Sequence, residues 1–157
     1  MPTPKQLQKV WLLSDTVLYS EAVTFMRGLV RDQECNPLPT SQVAGLLSIA
    51  EASDYGELSR FIVHQRERNW PPSKRDIKTF YTALEEVLGT MYRKRLTDEF
   101  RLLDGVSASE RELKSERDAL MALLAREFIQ HLVAENGLLA AEVAGQRMQQ
   151  RQNRRVG

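Results

Sequence analysis

Six prolines constrain this chain more than any other feature, because they fall at residues 2, 4, 37, 39, 71 and 72 and nowhere else. Proline fixes its own φ and lacks an N–H, so it breaks helix interiors and settles in turns and first helical positions. The prolines therefore leave long uninterrupted segments between them. In each segment the apolar residues recur three, four and seven apart, the period of a helix packed on one side. No stretch alternates in the manner of a strand. The pattern predicts an all-α fold, a single-domain bundle of five to six helices over residues 1–150. Residues 151–157, RQNRRVG, read as a basic flexible tail.

The first helix is expected from Pro4 to Glu34, capped by Thr3, with Leu7, Val10, Trp11, Ser14, Val17, Leu18, Phe25 and Leu29 along its inner stripe. A second runs from Ser41 to Ala52 with Thr40 as cap, and a third from Tyr55 to Arg68. The chain turns at Trp70-Pro71-Pro72. Ser73 and Asp76 form a capping-box-like pair for a fourth helix, Lys74 to Leu103. A fifth begins at Ser107 or Ser109, each followed three residues later by Glu, and Asn136-Gly137 reads as its stop. Leu138 to Gln150 is then a last short helix or a continuation.

With 157 residues and 42% hydrophobic content the chain can bury one core. Its net charge of +1 hides an uneven distribution. From Arg60 to Arg101 ten Lys/Arg face six Asp/Glu (+4), and from Asp104 to Glu142 four face eight (−4). Arg147, Arg151, Arg154 and Arg155 then follow with no acid. A single cysteine, Cys35, excludes an intrachain disulfide. No apolar run approaches a membrane span and no signal peptide is evident, so the expectation is a cytoplasmic protein without membrane contact.

Enzymatic chemistry finds little support. There is no Glu-x-x-His pair for a di-metal bundle, no Gly-x-Ser-x-Gly and no Gly-rich phosphate loop. Glu127, His131 and Glu135 share one helical face, which reads as a solvated polar stripe. The expectation is a protein with no catalytic residues, no metal and no cofactor.

Residues 60–95 stand out instead. Arg66, Arg68, Lys74, Arg75 and Lys78 crowd the Trp-Pro-Pro corner, and Arg93, Lys94 and Arg95 form a second basic knot. Fixed cations suit phosphates, and the interleaved aromatics, Trp70 above all, suit either core or base stacking. The competing reading is an ordinary solvated face with Trp70 plugging the turn. Two helix ends converge at the corner, and the later one also presents N-terminal amides. The eight cations are the candidate nucleic-acid-binding residues.

The run from Gly45 to Leu88 resembles the small all-helical subunits of type III CRISPR effector complexes. The likeness lies in Gly45-Leu46-Leu47, then Leu58-x-x-Phe61-Ile62-x-x-Gln65-x-x-Arg68, then Phe80-Tyr81-x-x-Leu84. The resemblance implies a non-catalytic subunit, several copies side by side, in a ribonucleoprotein with guide RNA, target RNA and other effector-complex subunits. It would hold the guide–target duplex or the target strand by phosphate contacts without reading sequence. Two alternatives remain: a helical DNA-binding regulator built on Ser41–Gln65, and a protein–protein adaptor without nucleic-acid binding.

Overall fold

A computed structural model describes residues 1–156 and is all-helical, with no strand among them. Five rods make a single bundle. The first joins α1 (Pro4–Leu13) and α2 (Tyr19–Arg27) through a π-helical stretch at Ser14–Leu18, with a second at Gly28–Asp32. Then come α3 (Thr40–Ala52) and α4 (Tyr55–Glu67). A 3₁₀ turn at Pro72–Lys74 opens α5 (Arg75–Thr90), which passes into a π-helical run, Met91–Glu99. The last rod, α6, spans Glu110–Val156.

The π stretches follow from the sequence. Buried residues of the first rod are Gln6, Val10, Ser14, Leu18, Ala22 and Met26, each four after the last, and then Leu29, three further on. An α-helix has 3.6 residues per turn, so a strict four-residue repeat drifts by about 40° per step and would leave the core within a few turns. Wider π turns absorb that drift and keep the stripe facing inward. The same device serves the fourth rod, where the π run carries the buried line from Leu88 and Met91 to Leu96 and Phe100.

Local chemistry sets the ends. Thr3 and Gln6 form a reciprocal capping box at α1. Asp54 caps α4 through the Glu57 N–H (2.8 Å), and Ser109 accepts from the Glu112 N–H at the start of α6. The first and fourth rods end alike. Glu34 (φ 57°) and Arg101 (φ 54°) adopt the left-handed conformation. Just beyond them, Cys35 N–H bonds Leu29 O (2.9 Å) and Leu102 N–H bonds Leu96 O (3.0 Å). This resembles the Schellman closure widened by one residue after the preceding π turns, with a non-glycine residue at the left-handed position and a buried side chain following it.

Helix α6 is the axis, packing against each of the other four rods. Leu120, Leu124, Phe128, Leu132, Asn136 and Leu139 mark its buried line. Met1 reaches Glu116, Ser14 reaches His131, Arg27 pairs with Glu135 and Arg31 with Glu142. The first rod and α6 therefore run in the same direction.

Four expectations need correction. Asn136-Gly137 does not stop the helix; Asn136 is buried, accepting from the Leu38 N–H (2.8 Å) and donating to the Leu38 carbonyl (3.2 Å), and the helix runs through it. Thr40 is not a cap but the first residue of α3, after Pro39. Ser73 makes no capping bond, and Asp76 instead accepts from the backbone and side-chain amides of Asn36 (2.9 and 3.1 Å). Trp11 stands 43% exposed, off the inner stripe. Residues 151–156, set apart in the sequence as a tail, continue α6 as exposed helix, and Gly157 lies outside the described residues. No helix among the described residues is long and apolar enough to cross a membrane.

Candidate nucleic-acid interface

Helices α4 and α5 form an antiparallel hairpin around the Trp-Pro-Pro corner, with Phe61 edge-on to Tyr81 and Tyr55 stacked on Tyr92 at the far end. Trp70 is half-buried. Its indole N–H donates to the Gln65 carbonyl (2.7 Å), closing the turn, and the Arg68 guanidinium lies over its ring at 4.5 Å. One ring face is thus taken by Arg68 and the edge is bonded, so Trp70 locks the corner instead of offering a base-stacking platform.

The eight predicted cations divide. Arg68, Lys74, Arg75 and Lys78 are exposed and make no ion pair among the described residues. They surround the start of α5, where no side chain caps the first turn. The 3₁₀ turn already uses the leading amides, Lys74 N–H to the Pro71 carbonyl (2.8 Å) and Arg75 N–H to the Pro72 carbonyl, so the cations alone make this site. Arg66 is different: it spans the hairpin seam to Glu85 (2.5 Å) and also meets Glu67 (3.4 Å). Its Nε is buried without an aligned hydrogen bond, so the Glu85 pair is a charge contact.

The second knot lies at the other end of the rod, about 27 Å away for 18 residues of helix. Arg93 and Lys94 are exposed and unpaired among the described residues. Arg93 folds back over Gly89, where a Cβ would sit 2.8 Å from its guanidinium, so the glycine accommodates it. Arg95 is withdrawn from any external ligand. It makes a fork to both Glu21 oxygens (2.6 and 2.7 Å), two bonds to Glu99 (2.6 and 3.1 Å), and stacks on Phe100 at 4.7 Å. The hydrogen bonds that Arg95 donates to Glu21, then to Glu99, hold its charge more firmly than usual, and Arg95 in turn lowers the Glu99 pKa. Arg95 is a structural cation, and Arg66 is partly one.

One pairing missed at the sequence level bears on chemistry. Ser14 Oγ lies 2.8 Å from His131 Nε2, with Tyr19 edge-on to the imidazole and Glu127 at 3.5 Å from the same hydroxyl. The pair has nucleophile–base spacing, but Ser14 is only 5% exposed. Its bond ties the first rod to α6. Sequence separation of 117 residues hid it. Cys35 is buried, and burial followed by Asp76 raises its thiol pKa, so the reactive thiolate is disfavoured. Among the described residues no group of three or more His, Cys, Asp or Glu is placed to hold a metal ion. A cavity of about 310 Å³ lies beside Arg95, walled by Glu21, Phe25, Glu86 and Phe128, with its one cation already committed to carboxylates.

Compared with known families, curated proteins and solved structures, the chain matches none of them.

Proposed function

We propose that the chain is a non-catalytic small subunit of an RNA-guided ribonucleoprotein of the type III CRISPR kind, acting in the cytoplasm. Its task is to hold the guide–target duplex or target strand through phosphates. The observation that carries this is the corner at which Arg68, Lys74, Arg75 and Lys78 stand exposed, without ion pairs among the described residues, around the start of α5. Such a site neutralises phosphates and reads no base edge. Arg93 and Lys94, two dozen ångströms along the rod, supply a second contact for an extended ligand. Guide RNA, target RNA, larger subunits and neighbouring copies enter through the sequence resemblance over Gly45–Leu88.

Affinity purification of the tagged protein from its host, with mass spectrometry and RNA sequencing of what accompanies it, tests the assignment. Recovery of large effector subunits with short guide RNAs supports it, and recovery without any RNA removes it. One observation favours the adaptor reading: Trp11 (43% exposed), Leu12 (63%) and Tyr19 (54%) leave apolar surface on the first rod. An adaptor is indifferent to Arg68→Glu, Lys74→Glu and Arg75→Glu, which separates the two readings.

A further inference from the structure

The last third of α6 runs out beyond the core of the bundle. Its last buried residue is Leu139, yet the helix continues to Val156, about 25 Å at 1.5 Å per residue. Beyond Glu142, which pairs with Arg31, the helix carries no acid and four arginines: 147, 151, 154 and 155. None makes an ion pair among the described residues, and all are exposed. At 100° per residue they fall within about 100° of arc and along about 12 Å of axis. The result is one straight cationic stripe.

The fold places this stripe beside the corner. Asp76, next to Arg75, holds Asn36, and Leu38 is bracketed by Asn136. Residues 36–38 therefore strap the start of α5 to the point where α6 leaves the core. Arg147 faces that strap, lining a cavity of about 380 Å³ with Asn36, Pro37 and Leu38. Two cationic elements some seventy residues apart in sequence emerge from the same end. Acids at this end include Asp32, Glu34, Glu67, Asp76, Glu135 and Glu142; Glu67 contacts Arg66, Asp76 is spent on Asn36, and Glu135 and Glu142 on Arg27 and Arg31.

We infer that the free end of α6 is a contact for double-stranded nucleic acid, laid along the phosphate row of a duplex. A duplex is favoured over a single strand for two reasons. A rigid stripe meets an already ordered row of phosphates without ordering a flexible strand. Residues 141–156 also contain no aromatic side chain on which an unpaired base could stack. Like-charge repulsion equally disfavours pairing of this helix with its copy. This contact deepens the backbone-binding reading but uses a different element, and the two fail separately.

The test is fluorescence anisotropy of the full chain with a labelled 20-base-pair duplex and a labelled 20-nucleotide single strand, across a salt series. The comparison variant is Arg147→Gln, Arg151→Gln, Arg154→Gln and Arg155→Gln together, which keeps helix propensity while removing charge. The expected result is at least a tenfold loss on the duplex, with the slope of log K against log salt falling by about 3, and a loss below threefold on the single strand. Helical circular dichroism stays at the parent level. Unchanged duplex affinity and slope overturn the inference, as does a parent that binds no duplex, and an equal loss on the single strand overturns the duplex assignment. The corner variant Arg68→Glu, Lys74→Glu, Arg75→Glu keeps the distinction: if it binds like the parent while the α6 variant does not, the corner reading fails and this one stands.

Discussion

The two basic clusters, one at the α4–α5 corner and one at the far end of the fourth rod, are alike in sequence and unlike in the molecule. Around Trp70, four of the five cations are unpaired, and the fifth, Arg66, leans on Glu85. In the Arg93-Lys94-Arg95 knot, the central structural role falls to Arg95, fully committed to Glu21 and Glu99. Clustering of charge measures how many cations a segment carries. Availability depends on which carboxylates the fold delivers, and Glu21 comes from 74 residues away.

The largest stability contrast lies there. Arg95 is 19% exposed, and its removal leaves Glu21 and Glu99 unpaired though still hydrated. Arg95→Ala is expected to cost about 2 kcal/mol in urea unfolding, while Arg75→Ala stays within about 0.5 kcal/mol. Equal costs would erase the distinction. Arg66→Ala belongs between them, at about 1 kcal/mol, because its pair is part-exposed and poorly aligned.

Tyr81 sharpens the picture from the core side. It is fully buried, and burial pushes its phenol up to about 12 from 10.0, with the Arg68 charge pulling the other way. Below pH 10 the phenol is neutral in both states. Between about 10 and 12 the unfolded chain ionises first, so stability falls with rising pH, by on the order of 2 kcal/mol. Tyr81→Phe flattens that part of the fall, and Arg68→Gln moves the Tyr81 titration higher still. No displacement with Arg68→Gln would mean that Arg68 does not sit over the corner as described. The smallest effect is acidic. Arg95 lowers the Glu99 pKa, so its contribution holds above the ordinary carboxylate range and fades as pH falls through the lowered value. Glu99→Gln reduces that acid sensitivity slightly.

Much of the fold was legible because helix ends and apolar stripes are local signals. Thr3 as the first cap and Ser109 with Glu112 work at their ends as capping chemistry dictates. The core positions of α5 from Ile77 to Met91 follow from spacing alone. What failed was local chemistry overridden at long range. Asn136 looks like a stop until the Leu38 backbone occupies its amide, and Asp76 looks like a capping partner until Asn36 claims it. Of the candidate site, Arg68, Lys74, Arg75, Lys78, Arg93 and Lys94 are exposed, whereas Arg95 and Arg66 meet, beside their neighbours Glu99 and Glu67, the distant acids Glu21 and Glu85 that no short window of sequence around them reveals.

The central claim is that the corner cations grip a phosphodiester backbone without regard to sequence. The direct measurement is the affinity of the parent and of the Arg68→Glu, Lys74→Glu, Arg75→Glu variant for two RNA strands of unrelated sequence, at several salt concentrations. The account predicts equal parent affinity for both strands, a salt slope reduced by about 2 in the variant, and the same loss on each strand with unfolding unchanged. Loss on one strand only, or no loss on either, would contradict it.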